Sequence, residues 1–403
     1  MKKKKIHRIG NQWMICGLLV LLTACVGKEP ENKIIQESKE LMEKRSATLA
    51  FTGDILLEEG ILTWMSDFYT NDEYRFKHYF DEIKPLLQAD LLIGNQEVPI
   101  AGRSYGITGI NFRFNAPEEV APQLADLGFD VLTFANNHSY DQGKTGLDAT
   151  IQALNQEKIA TTGAFRQKED RGPLIIEKNG IRFAILAYTY DTNQPIEDQN
   201  DFSVNRFLNA THEFDDEHKE ALKQDVMEAK DQSDVVIAAM HWGTEFTYDI
   251  SQTQKEVAKF LNECGVHIVI GNHPHTLQTV ETMVNTKGEE TFVIYSLGNF
   301  VSSAAAVSRA SEQFTNMYEL GGIVHCDVTY DPNTKKVELS HQKMDVIVNH
   351  FTYGYDNFQL LPFETYTDEL ASQHYQRWMS LNFHKEYLNE NLKALFDNKI
   401  EWK

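Results

Sequence analysis

Seven side chains of types that hold metal ions or move protons stand at the ends of short apolar runs: Asp54, Glu97, Asn137, His138, His241, His273 and His275. They occur in Thr52-Gly53-Asp54, Asn95-Gln96-Glu97, Asn136-Asn137-His138, His241-Trp242-Gly243 and Gly271-Asn272-His273-Pro274-His275. Carboxylate, amide oxygen and imidazole together suit Zn, Mn or Fe, whereas an all-oxygen set would point to Mg or Ca. Pro274 fixes the backbone between two imidazoles, so one rigid turn can present both His273 and His275. Taken singly the residues say less. His241 has a second reading as a satisfied core histidine, Asn137-His138 as a capped turn, and Asp54 and Glu97 as ordinary strand-end acids. Their weight comes from belonging to one set. His78, His212, His218, His341, His350, His374 and His384 lack that setting and read as solvated or peripheral.

The elements that must position these residues are strands. Residues 47–51, 90–93, 130–134, 235–240 and 267–270 are strand-like, and each precedes one or two members of the set. In open α/β sheets ligands sit in the crevice beyond the carboxyl ends of the strands, so residues just after successive strands converge. Helical spacing is expected over 73–88, 117–127, 143–155, 214–231 and 253–264, alternating with the strands. Asn179-Gly180 between two apolar runs is a hairpin signal. Hairpins are also expected over 279–295 and 322–348. The fold class that follows is α/β, with two packed mixed β-sheets and helices outside them. Residues 368–396 read as helical, their aromatics packing on the body of the protein.

The first residues of the chain read as a targeting segment. Lys2 to Lys5 and Arg8 form a basic leader, residues 13–22 are apolar, and Leu22-Thr23-Ala24-Cys25 follows. The apolar stretch is short for a membrane span and suits a secretory signal. The small residues before Cys25 resemble a bacterial lipobox, which implies acylation of Cys25 and attachment to the extracytoplasmic face of the cell membrane. Residues 1–24 are thus expected to be a signal peptide and 25–46 a polar tether. Loss of the leader moves the formal net charge from -21 to -26, which argues against nucleic acid and against a polybasic grip on anionic lipid. Cys264 and Cys326 read as two free, buried thiols.

The ordered motifs, including the run from Leu127 through Asn136-Asn137-His138 to Gly143, His241-Trp242-Gly243-Thr244-Glu245 and Tyr295-Ser296-Leu297-Gly298-Asn299-Phe300, resemble those of the CapA-type capsule synthesis proteins. The resemblance covers about residues 47–303, leaving 304–403 as an expected C-terminal hairpin and helical extension. It implies the four-layer sandwich of calcineurin-like metallophosphoesterases, a role in poly-γ-glutamate capsule biosynthesis or export, and a pair of divalent metal ions. By position, Glu97 would bridge two metals, Asp54 and His275 would complete the first site, and Asn137, His241 and His273 the second. His138 would be the general acid. Its implied partners are an anionic polymer or phosphoester substrate and membrane components of a capsule synthesis complex. Two departures stand out: Leu56 occupies the place of the histidine in the usual Asp-x-His motif, and the bridging acid is Glu instead of Asp. A metal-dependent phosphoester hydrolase and a non-catalytic polymer-binding lipoprotein are the alternatives to an accessory of capsule synthesis.

Overall fold

The computed structural model describes residues 41–66, 74–303, 317–354, 356–375 and 385–403. Met42–Lys403 forms one compact unit. Cys25, the leader and most of the expected tether lie outside the described residues.

Alternating apolar runs make two mixed sheets. In the first, β1 (Arg45–Ile55), β2 (Leu91–Gln96), β3 (Val131–Thr133) and β4 (Ala160–Thr162) run parallel in that order. The sheet continues beyond β1 through antiparallel β12 (Leu320–Asp331), β13 (Lys336–Thr352) and β14 (Asp356–Pro362). The strands after residue 303 are therefore integral to the sheet that carries Asp54. A short β11 (Asn299–Val301) pairs parallel with the end of β1, matching Asp54 with Asn299. The second sheet runs β5 (Leu174–Lys178), β6 (Ile181–Thr189), β7 (Val235–His241), β8 (Ile268–Asn272), β10 (Glu290–Ile294) and β9 (Val280–Val284). Its β6, β7 and β8 are parallel. The hairpin between β5 and β6 turns at Asn179 and Gly180, with φ 51° and 76°, the double positive φ that a tight two-residue hairpin requires.

Period-two alternation decides what each sheet face touches. Leu49, Phe51, Ile93 and Val131 from the first sheet meet Phe183, Ile185, Ile237 and Ile270 from the second in one buried cluster. The intervening Ala50, Leu92 and Leu132 face the other way, packing with Ile61 and Leu62 of α1 (Glu59–Met65) and Val120 and Leu124 of α2 (Val120–Asp126). On the far side of the second sheet, Leu186, Val236 and Val269 pack with Leu222 and Val226 of α4 (Asp216–Gln232) and Val257 and Leu261 of α5 (Gln252–Cys264). The outcome is helix, sheet, sheet, helix, with α3 (Gly143–Gln156) adding Leu147 and Ile151 to the central layer. Cutting Ile237 back to alanine in that layer would cost about 2–5 kcal/mol.

Three expectations change. Residues 77–83 are turns leading into a 3-10 turn at Lys84–Leu87 and form no α-helix; Pro85 lacks the N–H that one needs, and Lys77 sits at φ 45°. The expected helix over 368–396 is a short helix Asp368–Ser372 and a separate helix Lys385–Phe396, the residues between 375 and 385 lying outside the described ones. His350 and His374 are buried, each 3% exposed, with rings 5.3 Å apart; the polar groups around them, unseen in a local pattern, accept or donate to each ring. His350 Nδ1 meets the Tyr366 hydroxyl at 2.9 Å and His374 Nε2 donates to the Asn349 carbonyl at 3.0 Å. Cys264 and Cys326 are both free, the first half-buried and the second buried.

Candidate metal centre

Parallel strands of both sheets end at one place. Close approach there requires glycine: a Cβ on Gly53 would lie 2.1 Å from the Gly298 carbonyl oxygen, and one on Gly271 would lie 2.0 Å from that of Tyr295. The next residue after Gly53 is Asp54, whose N–H donates to the same Gly298 oxygen at 2.9 Å. Asp54 is fully buried. Its Oδ1 accepts from Asn95 Nδ2 at 2.7 Å and its Oδ2 from the His273 N–H at 3.1 Å. Burial pushes its carboxyl above the ordinary range, partly offset by nearby His275.

Glu97 follows β2 and is in the opposite condition. It is completely buried and neither carboxylate oxygen has a hydrogen-bond partner. Oε1 stands 3.5 Å from His275 Nε2 and 3.7 Å from His241 Nε2, too far for hydrogen bonds. Burial, reinforced by the negative charge of Asp54 and Glu245, drives its carboxyl well above the usual range. On one side of Glu97, His275 Nδ1 lies 3.6 Å from Asp54 Oδ2. On the other, His241 Nε2 lies 2.8 Å from Asn137 Oδ1, and the His241 and His273 rings are 4.7 Å apart. His273 and His275 flank Pro274 at φ 97° and 54°, conformations that side chains other than glycine seldom adopt and that collect at functional sites. Burial, then the neighbouring histidines, holds His241 and His273 well below the usual imidazole range, as neutral rings with a lone pair to offer.

The donor set suits a cation. Four buried atoms, Glu97 Oε1 and Oε2 and the Nδ1 atoms of His241 and His273, lack a hydrogen-bond partner, at a cost of about 1–3 kcal/mol for each unsatisfied group. Donor atoms of Glu97, His273 and His275 all lie within 4.8 Å of one another, a group able to hold a metal ion. Mixed carboxylate and imidazole donors repay their desolvation when a transition-metal cation joins them.

His138 stands beside this group. Its Nδ1 donates to Asp141 Oδ2 at 2.9 Å, and the same oxygen accepts the Phe114 N–H at 3.0 Å. A carboxylate on Nδ1 fixes the tautomer and directs Nε2 to other work. The Asn193 amide lies 3.3 and 3.4 Å from the two ring nitrogens, and Phe114 meets the ring edge-on at 4.8 Å. All seven residues singled out from the sequence thus converge. Sequence reasoning assigned no role to Asp141, Asn193 or Asn299, which contacts His275 Nδ1 at 2.9 Å. Asp141, three residues after His138, was within reach of a spacing argument. Asn193 comes from a stretch with no periodicity or motif to mark it.

Two clefts open onto the centre. One, of about 510 Å³, is lined by residues that include Leu56, Phe112, Phe114, His138, His275 and Tyr318. The other, of about 500 Å³, includes Tyr190, His212 and His273, and both share Glu245 and Phe246 as a wall. Leu56, where the resemblance would place a histidine, therefore presents hydrocarbon to the first cleft.

Comparison with known proteins agrees with the motifs. The capsule biosynthesis protein CapA of Bacillus anthracis is 28% identical over 272 residues, covering 64% of this chain and 60% of its own length. The PGA biosynthesis protein CapA of Bacillus subtilis is 27% identical over 304 residues, covering 74% of this chain and 73% of its own. A crystal structure titled as a novel phosphatase from Mycoplasma pneumoniae aligns over 76% of this chain and 95% of its own, at 16% identity and a TM-score of 0.43. The profile described as bacterial capsule synthesis protein PGA_cap matches residues 48–304, more than half of the chain, and the chain belongs to that family.

Proposed function

We propose that this protein is a metal-dependent phosphoester hydrolase that serves capsule polymer biosynthesis from the outer face of the cell membrane. The observation that carries the reading is Glu97, a fully buried carboxylate with two unpaired oxygens between an Asp54–His275 pair and an Asn137–His241 pair. That division suits two divalent cations, with Glu97 shared, Asp54 and His275 on one, and Asn137, His241 and His273 on the other. Bound there, a pair of Mn, Zn or Fe ions would neutralise phosphoryl charge and supply a nucleophilic water at neutral pH.

The chain's own residues do the rest. The bond from phosphorus to the departing oxygen breaks as a water oxygen joins phosphorus. The departing oxygen takes a proton from His138 Nε2, and the proton released by the water restores the imidazole. Asp141 on Nδ1 keeps the ring in the tautomer and orientation for that transfer, while Phe114 packs edge-on against it. The basic leader, apolar core and Leu22-Thr23-Ala24-Cys25 support anchoring through an acylated Cys25. Family membership supports a polymer as the substrate or its carrier, and membrane components of the polymer's export as partners.

The test is His138→Ala in purified, metal-loaded protein. Metal content should match wild type, while hydrolysis of an ester with a poor leaving group falls by about 10²- to 10⁴-fold, and an ester with a strongly activated leaving group changes far less. Equal loss on both esters, or none on either, would remove the general-acid role. Wild type that binds metal yet hydrolyses neither would leave the accessory role in capsule synthesis as the reading.

A further inference from the structure

Among the described residues, eight large hydrophobic side chains are exposed, and three of them, Tyr105, Ile110 and Phe112, come from one loop. Ile110 is 63% and Phe112 51% exposed, and both line the cleft that holds His138. Concentrated exposed apolar surface beside a polar centre marks a ligand contact more often than chance decoration.

The loop is not a loose one. Asn115 Oδ1 accepts the Ala101 N–H at 2.9 Å, and Asn115 Nδ2 donates to the carbonyls of Gly102 and Gly106 at 2.9 and 3.0 Å. Gln194 Nε2 donates to the Phe112 carbonyl at 2.9 Å, and the Gly109 N–H donates to Glu59 Oε2 at 3.2 Å. These bonds hold Phe112 at φ 63°, a left-handed conformation that costs an aromatic residue about 1–3 kcal/mol. The Phe114 N–H donates to the same Asp141 oxygen that holds His138. The C-terminal end of the loop and the proton donor are thus fixed to one carboxylate. The Phe112 ring stands 6.2 Å from the imidazole.

We propose that Ile110 and Phe112 form the subsite for the leaving group, and that they select an uncharged alcohol with an apolar face over an anionic one. The role rests on the hydrolytic reading above, since it places the departing oxygen at His138 and hence its substituent against the loop tip. Charge points the same way. Among the described residues lining this cleft there is no Lys or Arg, while Glu59 and Glu245 are present. An anionic leaving group would meet carboxylates with no Lys or Arg among the lining residues to pair it, and such a mismatch separates substrates more strongly than a lost methylene does. A run of repeating carboxylates is therefore disfavoured on the His138 side of the reacting bond. An alkyl chain, or a sugar ring with its hydrocarbon face, fits it.

Three phosphodiesters with a common methyl group on the far side and n-octyl, glucosyl or 3-carboxypropyl leaving groups test the subsite on the full-length, metal-loaded protein. The octyl or the glucosyl ester should have a KM about tenfold below that of the carboxypropyl ester, and whichever is lower identifies the source of the apolar face. Phe112→Ala and Ile110→Ser should erase most of that difference through KM, with kcat on the preferred ester altered far less. Equilibrium binding of the same esters to His138→Ala gives a readout that needs no turnover. If discrimination in binding persists and depends on Phe112 while metal-loaded wild type hydrolyses none of the esters, the loop tip stands as an apolar binding subsite and the hydrolytic reading falls. If the esters are hydrolysed but the carboxypropyl ester competes equally, or both loop variants keep the full preference, the subsite is refuted and the hydrolytic reading stands.

Discussion

Replacing Glu97 with methionine should make the metal-free protein more stable and abolish its response to metal. Glu97 has no exposed surface and both of its oxygens lack hydrogen-bond partners. Each unsatisfied buried polar group costs about 1–3 kcal/mol, so a side chain of similar volume with no polar oxygen should raise metal-free stability by about 2–5 kcal/mol. Wild type should recover in the presence of metal: at a free concentration about 100 times Kd, a ligand that binds only the folded state adds about 2.7 kcal/mol. Urea unfolding of both proteins after chelator dialysis, and again with Mn or Zn, measures both terms. The variant should unfold at higher urea than wild type without metal and show no shift with it. A Glu97→Met protein less stable than metal-free wild type would show that an unseen partner satisfies the carboxylate. One that keeps the full metal response would refute Glu97 as a shared ligand.

Asp54→Ala should do the reverse, destabilising the metal-free protein by about 2–4 kcal/mol because Asn95 Nδ2 and the His273 N–H lose their acceptor; metal analysis should find about half the wild-type content, and complete loss would contradict the division of ligands around Glu97. Acid should weaken the fold through His350 and His374, whose burial lowers them to about 4 and about 3. Both folded values lie below the unfolded value of about 6.5, so their contribution is complete above that pH and lost as pH falls toward 4, by about 3 kcal/mol for each group. His374→Gln should flatten urea midpoints measured between pH 7 and 4.5, and a slope equal to that of wild type would contradict the assignment. Cys25→Ser should move the protein from the membrane fraction to the medium, or leave an unprocessed precursor, and equal fatty-acid labelling of wild type and variant would defeat lipid anchoring.

The residues of the centre were legible in the sequence because strand ends impose a local signature. An apolar run followed at once by Asp54, Glu97, His138, His241 or His273 places a polar group at the crevice by backbone connectivity alone, whatever the neighbouring strands do. Glycines at 53 and 271 and the tight turn at Asn179-Gly180 belong to the same class, since each follows from the backbone within a few residues. Amphipathic period identified α3, α4 and α5 to within three residues at each end.

What no local pattern contained is the condition of each group once the sheets close. Asp54 and Glu97 read alike as strand-end acids, yet one is held by two hydrogen bonds and the other has unpaired oxygens, because the partners Asn95 and the His273 amide come from strand ends up to 219 positions away. His350 and His374 looked peripheral and are buried, since β13, β14 and the short helix after them fold over that edge of the first sheet. Asn193 reaches His138 across 55 residues from an irregular segment. Sequence determines which groups a chain carries to the end of a strand, because that is covalent. Which groups meet there, and whether their hydrogen bonds are satisfied, depends on packing two sheets face to face, and only the tertiary structure decides it.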